Sequence, residues 1–200
     1  MLKDYTLNSG HCLALAEVWN KLGKPQVDVV YLDNCGIDDE EFSSLLGGFV
    51  HLETLRLLFY KENMFSHNSL RAIKPLLLKR YPNNLRELKL VKVNTSSHLI
   101  NDLIQFMIDE PTSLTSLSLV QMDLPSTIMP TIVEYLENSV QLEELDLSWN
   151  KFQPHDFLPL LNNLSNNVIL RVLNLSWNLL IPSILQKEQS DYIYPSRLSK

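Results

Sequence analysis

One pattern of apolar residues recurs along nearly the whole chain. Residues 142–152 read LEELDLSWNKF, and residues 170–180 repeat the same order as LRVLNLSWNLL. The shared pattern is L-x-x-L-x-L-x-x-N-x-(apolar), and weaker versions of it start at residues 27, 52, 85 and 114. A pattern that returns at an interval of about 20 to 50 residues is typical of stacked repeats. We therefore expect one elongated domain rather than separate globular domains.

The starts of the pattern divide the chain into three parts. Residues 1–26 are predicted to be the back half of a partial repeat that ends in a helix. Residues 27–185 hold six units starting at 27, 52, 85, 114, 142 and 170, and residues 186–200 form a C-terminal tail. The long second unit predicts an insertion at residues 61–65, which projects as a loop from the rim of the strand layer.

The asparagine of the pattern is present in the last two units, as Asn150 and Asn178. A buried asparagine can bond several backbone groups of a loop, whereas valine and methionine cannot. We therefore expect the N-terminal half to be less regular and less stable. In that frame the asparagine position of the four earlier units is taken by Cys35, Tyr60, Val93 and Met122.

Each unit combines a short strand with a helical segment, which predicts an α/β fold. The leucines point inward and the residues between them face outward, because side chains alternate along a strand. Parallel strands need crossover connections, which the helices supply. Strands lie about 4.8 Å apart and helices are about 10 Å wide, so the stack bends. We expect a curved horseshoe with parallel strands on the concave face and helices on the convex face.

These features resemble one class of leucine-rich repeats. Units of 28–29 residues, a helix in each unit, and the phrases LDLSWN and LNLSWN are similar to the ribonuclease-inhibitor-like class, over residues 2–185. The resemblance implies a leucine-rich repeat solenoid. It also implies a cytosolic protein-binding scaffold, since members include inhibitors, sensor and GTPase-activating modules, axonemal components and bacterial effectors.

The composition narrows the classes of partner. Seventeen basic and 23 acidic residues give a net charge of −6, which argues against a nucleic-acid or membrane-surface binder. The N-terminus lacks the pattern of a secretory signal, and no apolar run reaches the roughly 20 residues that cross a bilayer. Two cysteines cannot build disulfide-bonded caps. We expect a cytoplasmic location, with cytoskeletal or ciliary sites as variants of it.

The outward strand positions and the turn after each strand are the candidate binding surface. Their mixture of aromatic, basic and acidic residues suits protein recognition, in which aromatic and arginine anchors dominate. Arg56 and Lys89 facing Asp146 would give a charge gradient along the array. The candidate protein-binding residues are Tyr31, Arg56, Phe59, Lys89, Asp146, Trp149, Asn174 and Trp177.

The two tryptophans give the most specific prediction among these candidates. Trp149 and Trp177 have the same phase in adjacent units, so they should lie one strand apart at the concave rim. Exposed together, they would form a binding hot spot. The alternative is that each indole packs on its neighbour and on the loop above it, because large aromatic side chains bury area wherever they can.

No combination of residues in the sequence indicates catalysis. The histidines lack metal-ligand spacing, no Cys-x-x-Cys is present, and five glycines form no phosphate-binding loop. We therefore predict a non-catalytic scaffold, without cofactor or metal, that binds a protein through the concave face and rim. Two alternatives stay open: a structural subunit of a multiprotein complex such as the ciliary axoneme, held by its uncapped ends, or an inhibitor or effector that occludes a partner enzyme.

Overall fold

A computed structural model of the chain describes residues 1–23, 26–49, 51–79 and 85–179. They form an α/β fold with one seven-stranded parallel sheet, which confirms the expected class. The end of the sixth unit and the tail at 186–200 lie outside the described residues. The strands are β1 (Leu2–Lys3), β2 (Val29–Asp33), β3 (Leu57–Lys61), β4 (Glu87–Val91), β5 (Ser116–Val120), β6 (Glu144–Asp146) and β7 (Val172–Asn174). The helices are α1 (Ser9–Lys21), α2 (Asp39–Phe49), α3 (His67–Leu77), α4 (Ser97–Asp109), α5 (Met129–Asn138) and α6 (Phe157–Leu164).

The order of the strands in the sheet is their order in the sequence. Every strand pairs in parallel with the one that follows it, so the sheet never reverses direction. Crossovers between parallel strands are right-handed almost without exception, and crossovers that always advance in one direction place their helices on one face. Each helix packs against the next one in the chain. The inward side chains of sheet and helices form one core.

Two inward positions of each five-residue strand, and one of each shorter strand, supply the sheet's share of that core. Tyr60 occupies one of these positions, and its ring lies 4.5 Å from the ring of Phe42. Its hydroxyl donates a 2.6 Å hydrogen bond to the carbonyl of Met64, which satisfies the one polar atom that the ring carries into the core. The first inward position is held by Val30, Leu58, Leu88, Leu117, Leu145 and Leu173, and the second by Leu32, Tyr60, Leu90 and Leu119.

The second unit is displaced by three residues from the frame expected from its leucines. Leu58 and Tyr60, rather than Leu55 and Leu57, are in register with the inward residues of the neighbouring strands. The pattern in this unit therefore starts at Leu55, and Leu52 lies buried in the turn after α2. The sequence favoured the wrong frame because leucine filled three of its positions, whereas the correct frame needs tyrosine at an aliphatic position.

The correct frame places an asparagine in the second unit. Asn63 is buried, and its Oδ1 accepts hydrogen bonds from the N–H groups of Cys35 and Ile37 at 2.9 and 3.2 Å. Its Nδ2 donates to the carbonyls of Leu32 and Lys61 at 3.1 and 2.8 Å. The predicted absence of this asparagine and the predicted insertion at 61–65 are therefore both wrong.

Asn150 and Asn178 bond the loop of the preceding unit in the same way. Oδ1 of Asn150 accepts from the N–H of Met122 at 2.9 Å. Oδ1 of Asn178 accepts from the N–H groups of Asn150 and Phe152, both at 3.1 Å. Each asparagine thus ties its own turn to the turn before it. Phe65, which follows Asn63 by two residues, is buried as Phe152 is.

Candidate protein-binding surface

The outer sheet face consists of the strand side chains that point away from the helices. Its central column contains all but one of the candidate residues expected there. The exception is Arg56, which precedes β3, and Phe59 takes its place because of the three-residue shift. The column reads Tyr31, Phe59, Lys89, Ser118, Asp146 and Asn174.

The N-terminal end of this column is aromatic. The rings of Tyr31 and Phe59 lie 4.9 Å apart, tilted by 32°, and both side chains are half-buried. Beside them, Nζ of Lys61 lies 3.2 Å from a carboxylate oxygen of Asp33. The aromatic pair is therefore partly accessible to solvent and has a neutralised ion pair at its side.

The middle of the column is charged, but its charges are paired. Glu87 on β4 accepts from Arg56 and lies 3.4 Å from Nζ of Lys89. Glu87 thus bridges both cations, a contact that the sequence analysis did not foresee. The charge gradient expected from Arg56 and Lys89 is weakened by this shared carboxylate.

The C-terminal end of the column holds Asp146 and Asn174. Nδ2 of Asn174 donates to Oδ2 of Asp146 at 3.0 Å. The other oxygen of Asp146 accepts from the N–H of Ser148 at 2.9 Å, and Oδ1 of Asn174 accepts from the N–H of Ser176 at 3.0 Å. These two side chains therefore shape the turns that follow their strands, in addition to lying on the outer sheet face.

The turn after each strand has a residue in the left-handed backbone region at the same position, and three turns have a second one two residues later, at Gly36, Asp123 and Lys151. We call the residues at the shared position the turn column. Asparagine and aspartate tolerate this region better than other non-glycine residues, and a bulky side chain there is strained. The N–H of Trp149 donates to the carbonyl of Ser176 in the next unit at 3.0 Å, which shows how the turns are joined. The turn column consists of Asp4, Asn34, Glu62, Lys92, Gln121, Trp149 and Trp177, with φ between 49° and 61°.

Neighbours in the turn column contact each other in pairs. Nδ2 of Asn34 donates to Asp4 at 3.0 Å, and Nζ of Lys92 lies 3.2 Å from Glu62. Trp149 and Trp177 stack, with ring centroids 4.7 Å apart and an interplanar angle of 17°. The two indoles remain exposed, by 46% and 70% respectively.

Hydrogen bonds from two asparagine side chains fix the turns that carry the tryptophan pair. Asn150 and Asn178 follow the two tryptophans directly, and Nδ2 of each donates to the carbonyl of Leu147, at 3.1 and 3.0 Å. Both indoles are therefore held on bonded backbone while their outer faces contact solvent. Stacking between the indoles and exposure to solvent are thus both present, and binding of a partner at this pair stays a prediction.

In the described part of the chain, His, Cys, Asp and Glu side chains nowhere gather in a group that could hold a metal ion. Both cysteines are buried as free thiols, and burial above all raises the pKa of Cys12 to about 11. This thiol therefore stays protonated at neutral pH and is a poor nucleophile. Among the same residues, no helix has the length and apolar character required to span a bilayer.

Two features escaped sequence reasoning. The left-handed backbone of the turn column is invisible to apolar periodicity, because the residues of the column share this conformation and no residue type. Asn63 could have been found from the phrase Asn63-x-Phe65, which has the asparagine-x-apolar ending of the last two units.

Comparison with known proteins adds no relative to these observations: the chain matches no family model and is not significantly similar to any curated protein.

Proposed function

We propose that the chain is a leucine-rich repeat solenoid of the ribonuclease-inhibitor-like class. The proposal is supported by seven parallel strands in chain order and by three asparagines that bond the preceding turn in the same manner. Strands about 4.8 Å apart opposite helices about 10 Å wide favour a curved stack. In this arrangement the outer sheet face is the concave wall, and the turn column is its rim.

The function that this surface supports best is non-catalytic binding of a protein partner through the concave face and rim, in the cytoplasm. The observation that carries the proposal is the stacked and exposed pair of Trp149 and Trp177. Tryptophan is among the residues most enriched at binding hot spots, where one side chain often contributes at least about 2 kcal/mol. Aromatic side chains that stay exposed on a surface whose polar groups are paired with one another indicate an interaction site.

The rigidity of the tryptophan pair favours binding, because it lowers the conformational entropy lost when a partner binds. Each indole has few rotatable bonds, and stacking restricts both further. A partner therefore loses little additional freedom from this side of the interface when it binds. The strain of placing tryptophan at positive φ, about 1–3 kcal/mol for each residue, is tolerated where the surrounding bonds fix the turn. Both tryptophans meet that condition through the asparagines that follow them.

Replacement of both tryptophans by alanine should remove partner binding without unfolding the protein. We expect the variant Trp149→Ala/Trp177→Ala to bind its partner at least about tenfold more weakly, because each loss at a hot spot exceeds about 1.4 kcal/mol. Stability should change little, since alanine adopts the turn with no larger strain. The measurement is capture from lysate with mass spectrometry, then titration calorimetry with the protein captured.

The matched control is Leu158→Ala/Leu161→Ala, which removes two side chains that are 58% and 50% exposed on α6. Partners retained by this control and by the unaltered chain, but lost from the tryptophan variant, support the proposal. Equal capture of the same proteins by all three chains, with unchanged helix content by circular dichroism, would show that the pair is not the binding site.

A further inference from the structure

Two adjoining cavities line a different edge of the molecule, where α4, α5 and α6 end and the chain turns towards the sheet. One has a volume of about 310 Å³ and lies between the ends of α4 and α5. The other has a volume of about 510 Å³ and lies between the ends of α5 and α6. Both are lined by Ser139 and Val140, so they form one groove, which we call the helix-end groove.

The walls of the helix-end groove contain buried polar atoms that lack hydrogen bonds. Tyr135 is 2% exposed, and its hydroxyl makes no hydrogen bond of regular geometry, although weaker contacts with the Thr112 and Ser139 hydroxyls partly offset the rise in its pKa that burial causes. Oε1 of Gln141 and Oδ1 of Asn163 are also buried without partners. Three of the five such side-chain atoms in the described residues therefore lie along this groove.

These atoms differ in hydrogen-bonding character. Burial raises the pKa of Tyr135 to about 12, so its hydroxyl is a donor at any physiological pH. The oxygens of Gln141 and Asn163 are acceptors. A ligand that satisfies all three must offer both acceptors and donors. A peptide backbone offers one of each at almost every residue.

The groove also carries exposed apolar side chains. Val140 and Val168 are 78% and 90% exposed, and they are 28 residues apart, at the same place in successive units. Equivalent atoms of neighbouring units are separated by about 4.8 Å in the sheet and by about 10 Å in the helix layer. The separation at this edge, which lies between the two layers, falls between these values. Side chains i and i+2 of an extended peptide are about 6.6 Å apart on one face, which falls within this range.

The charges around the groove are mostly acidic. Asp109, Glu110 and Glu137 line it, and Lys79 is the one basic residue among the described side chains that do so. A basic residue in a ligand would therefore be attracted to this edge.

We propose that the helix-end groove binds an extended peptide segment of a partner protein, with apolar side chains at alternate positions and a flanking lysine or arginine. The apolar side chains contact Val140 and Val168. The peptide backbone accepts from Tyr135 and donates to Gln141 and Asn163. This site is separate from the tryptophan pair and does not depend on it.

The test is selection of a phage-displayed library of random dodecapeptides on the whole chain. Enriched peptides should share apolar residues at i and i+2 beside a basic residue. Their affinity, measured by fluorescence anisotropy with labelled synthetic peptides, should fall at least about tenfold in Val140→Lys, which repels the basic residue of the peptide and removes an apolar contact. The variant Trp149→Ala/Trp177→Ala should bind the same peptides as the unaltered chain does, so failure of one proposal is distinguishable from failure of the other.

Tyr135→Phe tests the hydroxyl separately. If the hydroxyl is unsatisfied in the free chain, its removal should leave Tm unchanged or raise it by a few degrees, while weakening peptide binding by about three- to tenfold. A fall in Tm of more than about 4 °C would show that the hydroxyl is bonded within the fold, and would remove it from the proposed site. The whole proposal is overturned if no peptide is enriched, if the enriched peptides are amphipathic helices, or if they tolerate Val140→Lys.

Discussion

Asn63→Ala should destabilise the protein by about 3–5 kcal/mol, because four backbone groups of a largely buried turn lose a hydrogen bond, and of these the carbonyl of Lys61 keeps another, from the N–H of Asn34. The side chain receives bonds from Cys35 and Ile37 and gives bonds to Leu32 and Lys61, at 2.8 to 3.2 Å. Each unsatisfied buried group costs about 1–3 kcal/mol, although partial relaxation keeps the sum below the full total. Urea denaturation followed by circular dichroism measures the change directly.

Two further asparagine variants make this result specific. Asn150→Ala should cost a similar amount, because Asn150 accepts from Met122 and donates to Leu119 and Leu147 in the equivalent turn. Asn162→Ala, on the exposed side of α6, should change the free energy of unfolding by less than about 0.5 kcal/mol. If Asn63→Ala behaved like Asn162→Ala, then residue 63 would lie in a projecting loop and the three-residue shift would be wrong.

Gly48→Ala should destabilise the protein by about 2–3 kcal/mol, whereas the same change at Gly47 should stabilise it. A Cβ on Gly48 would lie 2.6 Å from Cα of Ala16 and 2.9 Å from a ring carbon of Trp19, where α2 crosses α1. Backbone cannot move aside as a flexible side chain can, so the two helices must separate. Gly47 has nothing within 4 Å of its Cβ position.

Gly47→Ala is thus the control for Gly48→Ala within the same turn of helix. Alanine is favoured over glycine in a helix by about 0.5–1 kcal/mol, so the two variants should differ by about 3 kcal/mol. For a chain of this length, 1 kcal/mol shifts Tm by about 2–4 °C, and calorimetry will resolve the difference. Equal effects of the two substitutions would show that α1 and α2 are not in close contact at this point.

The candidate site was only partly predictable, because the ion pairs and ring contacts of each candidate residue depend on which side chains lie beside it in the folded chain. Trp149 and Trp177 were expected to lie together from their equal phase, and their rings do stack. The sequence could not determine that Glu87 pairs with both Arg56 and Lys89. Such pairings depend on which strand positions face each other, and a shift of three residues in one unit changed that assignment for Arg56 and Phe59.

The periodic apolar residues by themselves determined the α/β class and the parallel order of strands, because inward side chains at regular intervals require strands and helices to alternate. Local spacing could not separate two frames in the second unit, since each offers apolar residues at the right intervals. Only the tertiary structure decided between them. The hydrogen bonds of Asn63 and the packing of Tyr60 and Phe65 are contacts between units, and their free energy exceeds the local preference for leucine at the pattern positions.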